Sequence, residues 1–254
     1  MRQLLLNKDF ANKDFLKSLI DDFIDDLKID KNKNQKKILE LCHVAKFLTF
    51  FEDKFKIERI SEEPDFIIFS TSERIGLEHQ ILIDTGVKEK EGFIENLFKQ
   101  AEQILSKGTD VPSFLANIYI YPNLEIKIND KSQKIIEIVD LLKNYLKTGK
   151  LYRNDIIEDI NIMPHSQISL NPNFGGWCQK NITSDLLLEA ISKKERLVNS
   201  YIKKTNLKQW LLIVIGGLGE SSYEYDLEFD IDVESKFENI FLMEDFSCKL
   251  YEIK

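Results

Sequence analysis

The residues of this chain best suited to chemistry are two carboxylates and an amide on one short hairpin: Asp65, directly behind Pro64, and Glu78 and Gln80 on the following run. Asp65 to Phe69 is a short apolar run and Arg74 to Ile83 alternates, and the polar Ser70-Thr71-Ser72-Glu73 between them reads as a hairpin connection. A symmetric turn over 71–74 predicts Phe69 opposite Gly76, Ile67 opposite Glu78 and Asp65 opposite Gln80, and the strand period of two puts all of these on one face. Asp65, Glu78 and Gln80 then cluster at one end of the sheet, while Phe66, Ile68, Leu77 and Ile81 point to the other face. Carboxylates beside strands this apolar are costly unless an opposite charge offsets them, and a hard divalent cation held by oxygen ligands does so. Mg²⁺ is the natural candidate, with Mn²⁺ as its substitute. Gly76 inside the strand suits close approach of a ligand or of another backbone. The competing reading is a hairpin whose polar residues lie on a solvated face.

These residues depend on the elements around them. Phe15, Leu16, Leu19, Ile20, Phe23, Ile24 and Leu27 recur at spacings of three and four, which predicts an amphipathic helix over 10–27. A polar stretch follows, and Ile38, Leu41, Cys42, Ala45 and Leu48 form the stripe of a second helix over about 35–52. Three strands come next, at 55–60, 65–69 and 74–83. Helical spacing returns over 89–106, a strand is expected at Asn117 to Tyr121, and another helix over 132–147. Residues 151–180, with Pro164, Pro172 and Gly175-Gly176, read as irregular. A helix over 183–204, a buried strand at Trp210 to Ile215 and a last strand at Asn239 to Met243 complete the order, with a terminal segment free to pair as an edge. This alternation predicts an α/β fold with a mixed central sheet flanked by helices. Residues 1–34 are expected to be an N-terminal helical addition, and 35–254 an α/β domain with an insert at about 125–180.

Composition narrows the class. The 254 residues are 43% hydrophobic and 31% charged, enough to bury a sizeable core and incompatible with a disordered or collagen-like chain. Lys and Arg number 35 against 43 Asp and Glu, a net charge of −8, which excludes coating nucleic acid by bulk electrostatics but leaves a local basic groove open. Cys42, Cys178 and Cys248 are odd in number, far apart and in no CxxC spacing, so neither a disulfide scaffold nor a zinc site is expected. No run approaches the length of a membrane helix, and a soluble, cytoplasmic protein is expected.

The order helix, three strands, helix, strand, with Pro64-Asp65 opening the second strand and Glu78-x-Gln80 on the third, resembles the PD-(D/E)XK nuclease superfamily over about 35–122. The stretch Ile191 to Ile215 also resembles a recurrent tail of bacterial proteins of this kind. The resemblance implies a restriction-endonuclease-like core and metal-dependent hydrolysis of a phosphodiester, with DNA the foremost substrate. It makes Asp65 and Glu78 the holders of Mg²⁺ or Mn²⁺ and puts Gln80 where the superfamily usually has a Lys that positions or activates water. It also implies an acid on the helix before the sheet. Glu40, well inside that helix, is preferred over Glu52, which continues the apolar stripe near the helix end. The implied partner is nucleic acid, with a homodimer or a protein partner left open. The alternative is a catalytically inactive nuclease-like protein that binds or regulates.

Other features are weaker. Lys99, Lys193 and Lys194, with Lys203 and Lys204, are candidates to meet a phosphate backbone, in binding that weakens steeply with salt, and Tyr201 either stacks on a base or packs inward. A solvated lysine face is the simpler account of any one of them. His43, His79 and His165 are too far apart in sequence for a local ligand set and read as structural. Gly216-Gly217-Leu218-Gly219 follows a buried strand but lacks the Lys-Ser/Thr of a phosphate loop.

Overall fold

The computed structural model describes residues 2–4, 13–28, 31–52, 54–108, 111–121, 124–173, 179–217, 219–225 and 231–254. In chain order the elements are β1 (Arg2–Leu4), α1 (Lys13–Lys28), α2 (Lys31–Leu48), β2 (Lys56–Ile60), β3 (Phe66–Phe69), β4 (Arg74–Ile81), α3 (Thr85–Lys107), β5 (Phe114–Ile120), α4 (Lys131–Thr148), β6 (Ile157–Pro164), β7 (Ser169–Asn173), β8 (Lys180–Asn181), α5 (Ser184–Thr205), β9 (Lys208–Ile215), β10 (Tyr223–Glu224), β11 (Asn239–Glu244) and β12 (Lys249–Glu252). They fall into two compact units, one of Met1–Ile83 with Gln179–Lys254 and one of Asp84–Cys178.

The first unit is built on a seven-stranded sheet of order β1-β12-β11-β9-β4-β3-β2. It is mixed: β4 and β11 run parallel to β9, whereas the β2–β3–β4 meander, β12 on β11 and β1 on β12 are antiparallel. The period of two in the central strands sends alternate residues to opposite faces. Phe66, Ile68, Ile75, Leu77, Trp210, Leu212 and Val214 join Leu19 and Ile24 of α1 and Leu41, Val44, Ala45 and Leu48 of α2 in one core. Leu211, Ile213, Ile215, Ile240 and Leu242 meet Leu187, Ala190, Ile191 and Val198 of α5 in another. Helices therefore cover both faces, as continuous apolar strands such as Trp210 to Ile215 require. The terminal strand β12 is not an edge, because β1 pairs along it through Arg2, Gln3 and Leu4. A three-residue strand is too short to announce itself by alternation.

The second unit packs α3 and α4 on a three-stranded sheet of order β6-β5-β7 around Leu97, Phe98, Ala101, Phe114, Ile118, Ile138 and Leu142. The strand expected at Asn117 to Tyr121 is thus β5 of this sheet and not of the central one. The stretch expected to be irregular supplies its partners, β6 and β7. Their signal is weak in sequence because a register shift opposite Tyr119/Ile120 puts an extra residue into β6 and interrupts its alternation, and because β7 reads Ser-Leu-Asn-Pro-Asn, with few strand-forming residues. The insertion therefore starts at Asp84, where the sequence pattern suggests about 125. Gly175, Gly176, Pro122 and Cys178 lie outside the described residues. Among the described residues no helix is long and apolar enough to cross a membrane.

Candidate functional site

The β3–β4 hairpin turns over Ser70 to Glu73, with the Ser70 amide donating to the Glu73 carbonyl. Its register pairs Phe66 with Leu77, Ile67 with Gly76, Ile68 with Ile75 and Phe69 with Arg74. Relative to the symmetric turn expected from sequence, β4 is shifted by two residues. An even shift keeps every side chain on its predicted face, but one further step of this register brings Asp65 level with Glu78 rather than with Gln80. The contact is direct at the backbone: the amide of His79 donates to Asp65 Oδ2 at 3.0 Å. Gly76 also has a different partner from the one expected. A Cβ there would lie 2.3 Å from Gln209 Oε1, so the space is filled by a side chain of the neighbouring strand and not by a ligand or backbone.

Glu78 is 3% exposed. Its Oε1 accepts from Lys194 Nζ at 2.6 Å and from the Tyr201 hydroxyl at 3.0 Å, while Oε2 is buried with no hydrogen-bond partner among the described residues. Burial, and then the charge of Asp65, push the Glu78 carboxyl above its usual range, with Lys194 and Tyr201 acting against the rise. Burial and Glu78 in turn raise the Tyr201 phenol. Gln80, two residues along the same face, also presents a buried Oε1 with no hydrogen-bond partner among the described residues. Both free atoms are oxygen acceptors beside two carboxylates, a donor set that suits a hard divalent cation.

Glu40 does not join them. It is held by Lys36 at 3.5 Å and by Lys37 at 3.2 Å, and Lys37 then reaches Asp65 Oδ1 at 3.6 Å, so a lysine stands between the two acids. Burial alone would lower the Lys37 ammonium, but Glu40 and Asp65 outweigh it and raise it. Among the described residues no three His, Cys, Asp or Glu side chains gather closely enough to hold an ion. The expected third acid is therefore absent from the cluster, and Glu52, exposed beyond the end of α2, does not replace it.

The basic candidates separate. Lys194 points inward to Glu78, whereas its neighbour Lys193 is exposed and paired with Glu189 at 2.8 Å. Lys204 pairs with Glu63. Lys99 is exposed on α3 and belongs to the second unit. Tyr201 packs inward. The inward turn of Lys194 has a sequence signature: it stands three residues after Ile191 and four before Val198, on the stripe that continues to Tyr201, so an amphipathic reading of α5 already puts it on the buried face.

On the opposite face of β4 lies a contact that spacing along the chain does not reveal. His79 Nε2 is 3.1 Å from His43 Nδ1 on α2, the rings stack with centroids 5.3 Å apart, and His43 Nε2 lies 3.8 Å from Asp245 Oδ2. Burial lowers both imidazoles; for His79 the neighbouring His43 adds to it, while Asp245 partly opposes it at His43. His165 is exposed in the second unit. After β9, Gly216 has φ +75° and lies against the backbone of Glu244 and Asp245, and the Gly217 amide donates to Ser222 Oγ at 2.7 Å.

No family model, curated protein or solved structure matches this chain. Its functional reading therefore rests on the residues around Glu78.

Proposed function

We propose that this protein hydrolyses phosphodiesters of nucleic acid, DNA foremost, at a metal-dependent PD-(D/E)XK-like site on a restriction-endonuclease-like core. The observation that carries the reading is the pair of buried oxygens, Glu78 Oε2 and Gln80 Oε1, that have no hydrogen-bond partner among the described residues, on one face of β4 with Asp65 bound to the backbone between them. A polar atom left unpartnered in a protein interior is costly, and a ligand that satisfies it recovers that cost. Asp65 and Glu78 would hold Mg²⁺ or Mn²⁺, which when bound neutralises charge on the scissile phosphate and lowers the pKa of a water. The Gln80 amide is able to orient a water by hydrogen bonding, but it takes no proton at neutral pH, so the proton would go to bulk water, a phosphate oxygen or another residue.

One observation favours the second reading, a nuclease-like protein that binds without cleaving: the Glu78 carboxylate already has a cation, Lys194. Cleavage of single- and double-stranded DNA and RNA with Mn²⁺, by the wild type and by Asp65→Ala, separates the two. The nuclease reading expects Mn²⁺-dependent cleavage that is lost in the variant. Equal activity in both proteins would trace cleavage to another source, and no cleavage by a wild type that still binds DNA would favour the second reading.

A further inference from the structure

Lys194 occupies an unusual place for a lysine. Its side chain is 23% exposed and its ammonium lies 2.6 Å from a carboxylate whose own side chain is 4% exposed. The other donor to the same oxygen, Tyr201, is neutral, so among the contacts to Glu78 Oε1 the ammonium alone balances its charge. Lys193, one residue away, faces outward to Glu189, so this is a directed contact and not one of a row of surface lysines. An ionised carboxylate buried to this degree is stabilised by a partner of opposite charge.

We propose that Lys194 is the standing counter-ion of Glu78 and competes with an incoming divalent cation for that carboxylate. The inference rests on the metal-binding part of the function proposed above. A divalent ion at Glu78 and an ammonium on the same carboxylate repel each other in a poorly solvated site. The ammonium sits on a four-carbon stem that is partly open to water, so it is free to leave, whereas Glu78 is fixed on β4 and Asp65 is held by the His79 amide. The site is accordingly neutralised while empty, and it binds its ion more weakly than two carboxylates alone would.

Calorimetric titration of Mn²⁺ into the full-length protein at pH 8, without nucleic acid, tests this in wild type, Lys194→Met, Lys194→Arg and Tyr201→Phe, with Asp65→Asn as the control that removes a ligand. Removing the ammonium is expected to tighten Mn²⁺ binding by about tenfold, the effect of one unit charge at close range. Lys194→Arg, which keeps the charge, and Tyr201→Phe, which removes only a neutral donor, are expected to bind as the wild type does. Mn²⁺ binding that is lost in Asp65→Asn yet equal or weaker in Lys194→Met overturns the competition and leaves the nuclease reading standing. Absence of Mn²⁺ binding from every protein overturns both. If Lys194→Met fails to fold, by far-ultraviolet circular dichroism, Lys194→Gln carries the same expectation.

Discussion

Residue 78 and residue 79 are neighbours with opposite electrostatic needs. Glu78 faces α5 and is served by a lysine and a tyrosine, while His79 faces α2 and is kept neutral against His43. The imidazoles have a measurable consequence for stability. In the unfolded chain they bind protons near pH 6.5, whereas in the fold burial holds both below that value. Below about pH 6.5 the unfolded chain therefore binds protons that the native state refuses, so this contribution to stability is complete above that pH and declines as pH falls toward the folded values, by up to about 1.4 kcal/mol per pH unit for each proton. The raised Glu78 carboxyl acts in the opposite sense, since the fold holds its proton more tightly than the unfolded chain does. Urea midpoints at pH 7.5, 6.5 and 5.5 are expected to show the wild type losing stability on acidification, and His79→Phe losing less; parallel losses in the two proteins would remove the histidine pair as the cause. The hairpin residues show how far such detail is legible beforehand. The face shared by Asp65, Glu78 and Gln80 follows from alternation alone, but their alignment depends on whether the turn begins at Ser70 or Thr71, which polar residues do not decide. The His43 contact joins α2 to β4, and no local pattern encodes a meeting of that kind.

Among the elements, α5 decides the chemistry available at Glu78, because both donors to Oε1 are carried on it two turns apart. Its start is fixed by Thr183, whose hydroxyl accepts from the Leu186 amide at 3.3 Å, and its end by Asn206, at φ 55° in the left-handed region that ends helices. Thr183→Ala is expected to lower stability by about 1 kcal/mol, read as a shift in the urea midpoint, with Tyr201 fluorescence and the Glu78 environment unchanged because the cap lies more than two turns before Lys194. A perturbed Glu78 resonance would show instead that the cap sets the register of the whole helix. The helices were all legible at the level of existence, since α1 to α5 each bury an apolar stripe with charged residues opposite. Their ends were not, and α2 begins at Lys31, inside a run of lysines and asparagines that reads as loop. In such a run no apolar residue appears before Ile38, so helical spacing does not mark where the helix starts.

On the scale of the whole molecule, the chain leaves its central sheet after β4, builds residues 84–178 around a separate core, and returns through α5 to lay β9 beside β4. Sequence order alone suggested a single α/β domain with an insert only at about 125–180, because a helix, a strand and another helix after a hairpin fit the crossovers of a central sheet as readily as they fit a second sheet. Which of the two forms is settled by β6 and β7, whose alternation is interrupted by a bulge and by Asn and Pro. The separate core leads to a prediction: a fragment of residues 84–178 is expected to unfold cooperatively in urea with helical and strand signals by circular dichroism, and a broad, non-cooperative transition would show that its core is completed by the rest of the chain.

The neighbouring of β4 and β9 also bears on how the protein comes off the ribosome. Ile75 to Ile81 pair with Lys208 to Val214 across the whole intervening excursion. At ~5–20 residues per second, the β2–β3–β4 meander waits on the order of ten seconds before its partner strand has been synthesised. During that interval β4 presents an unpaired edge to solvent, lined by Ile75, Leu77 and Ile81 and poised to zip onto any other extended chain. Glu78 and Gln80 stand on that strand, so residues suited to chemistry in the finished fold also place charge and polarity on an otherwise adhesive nascent edge.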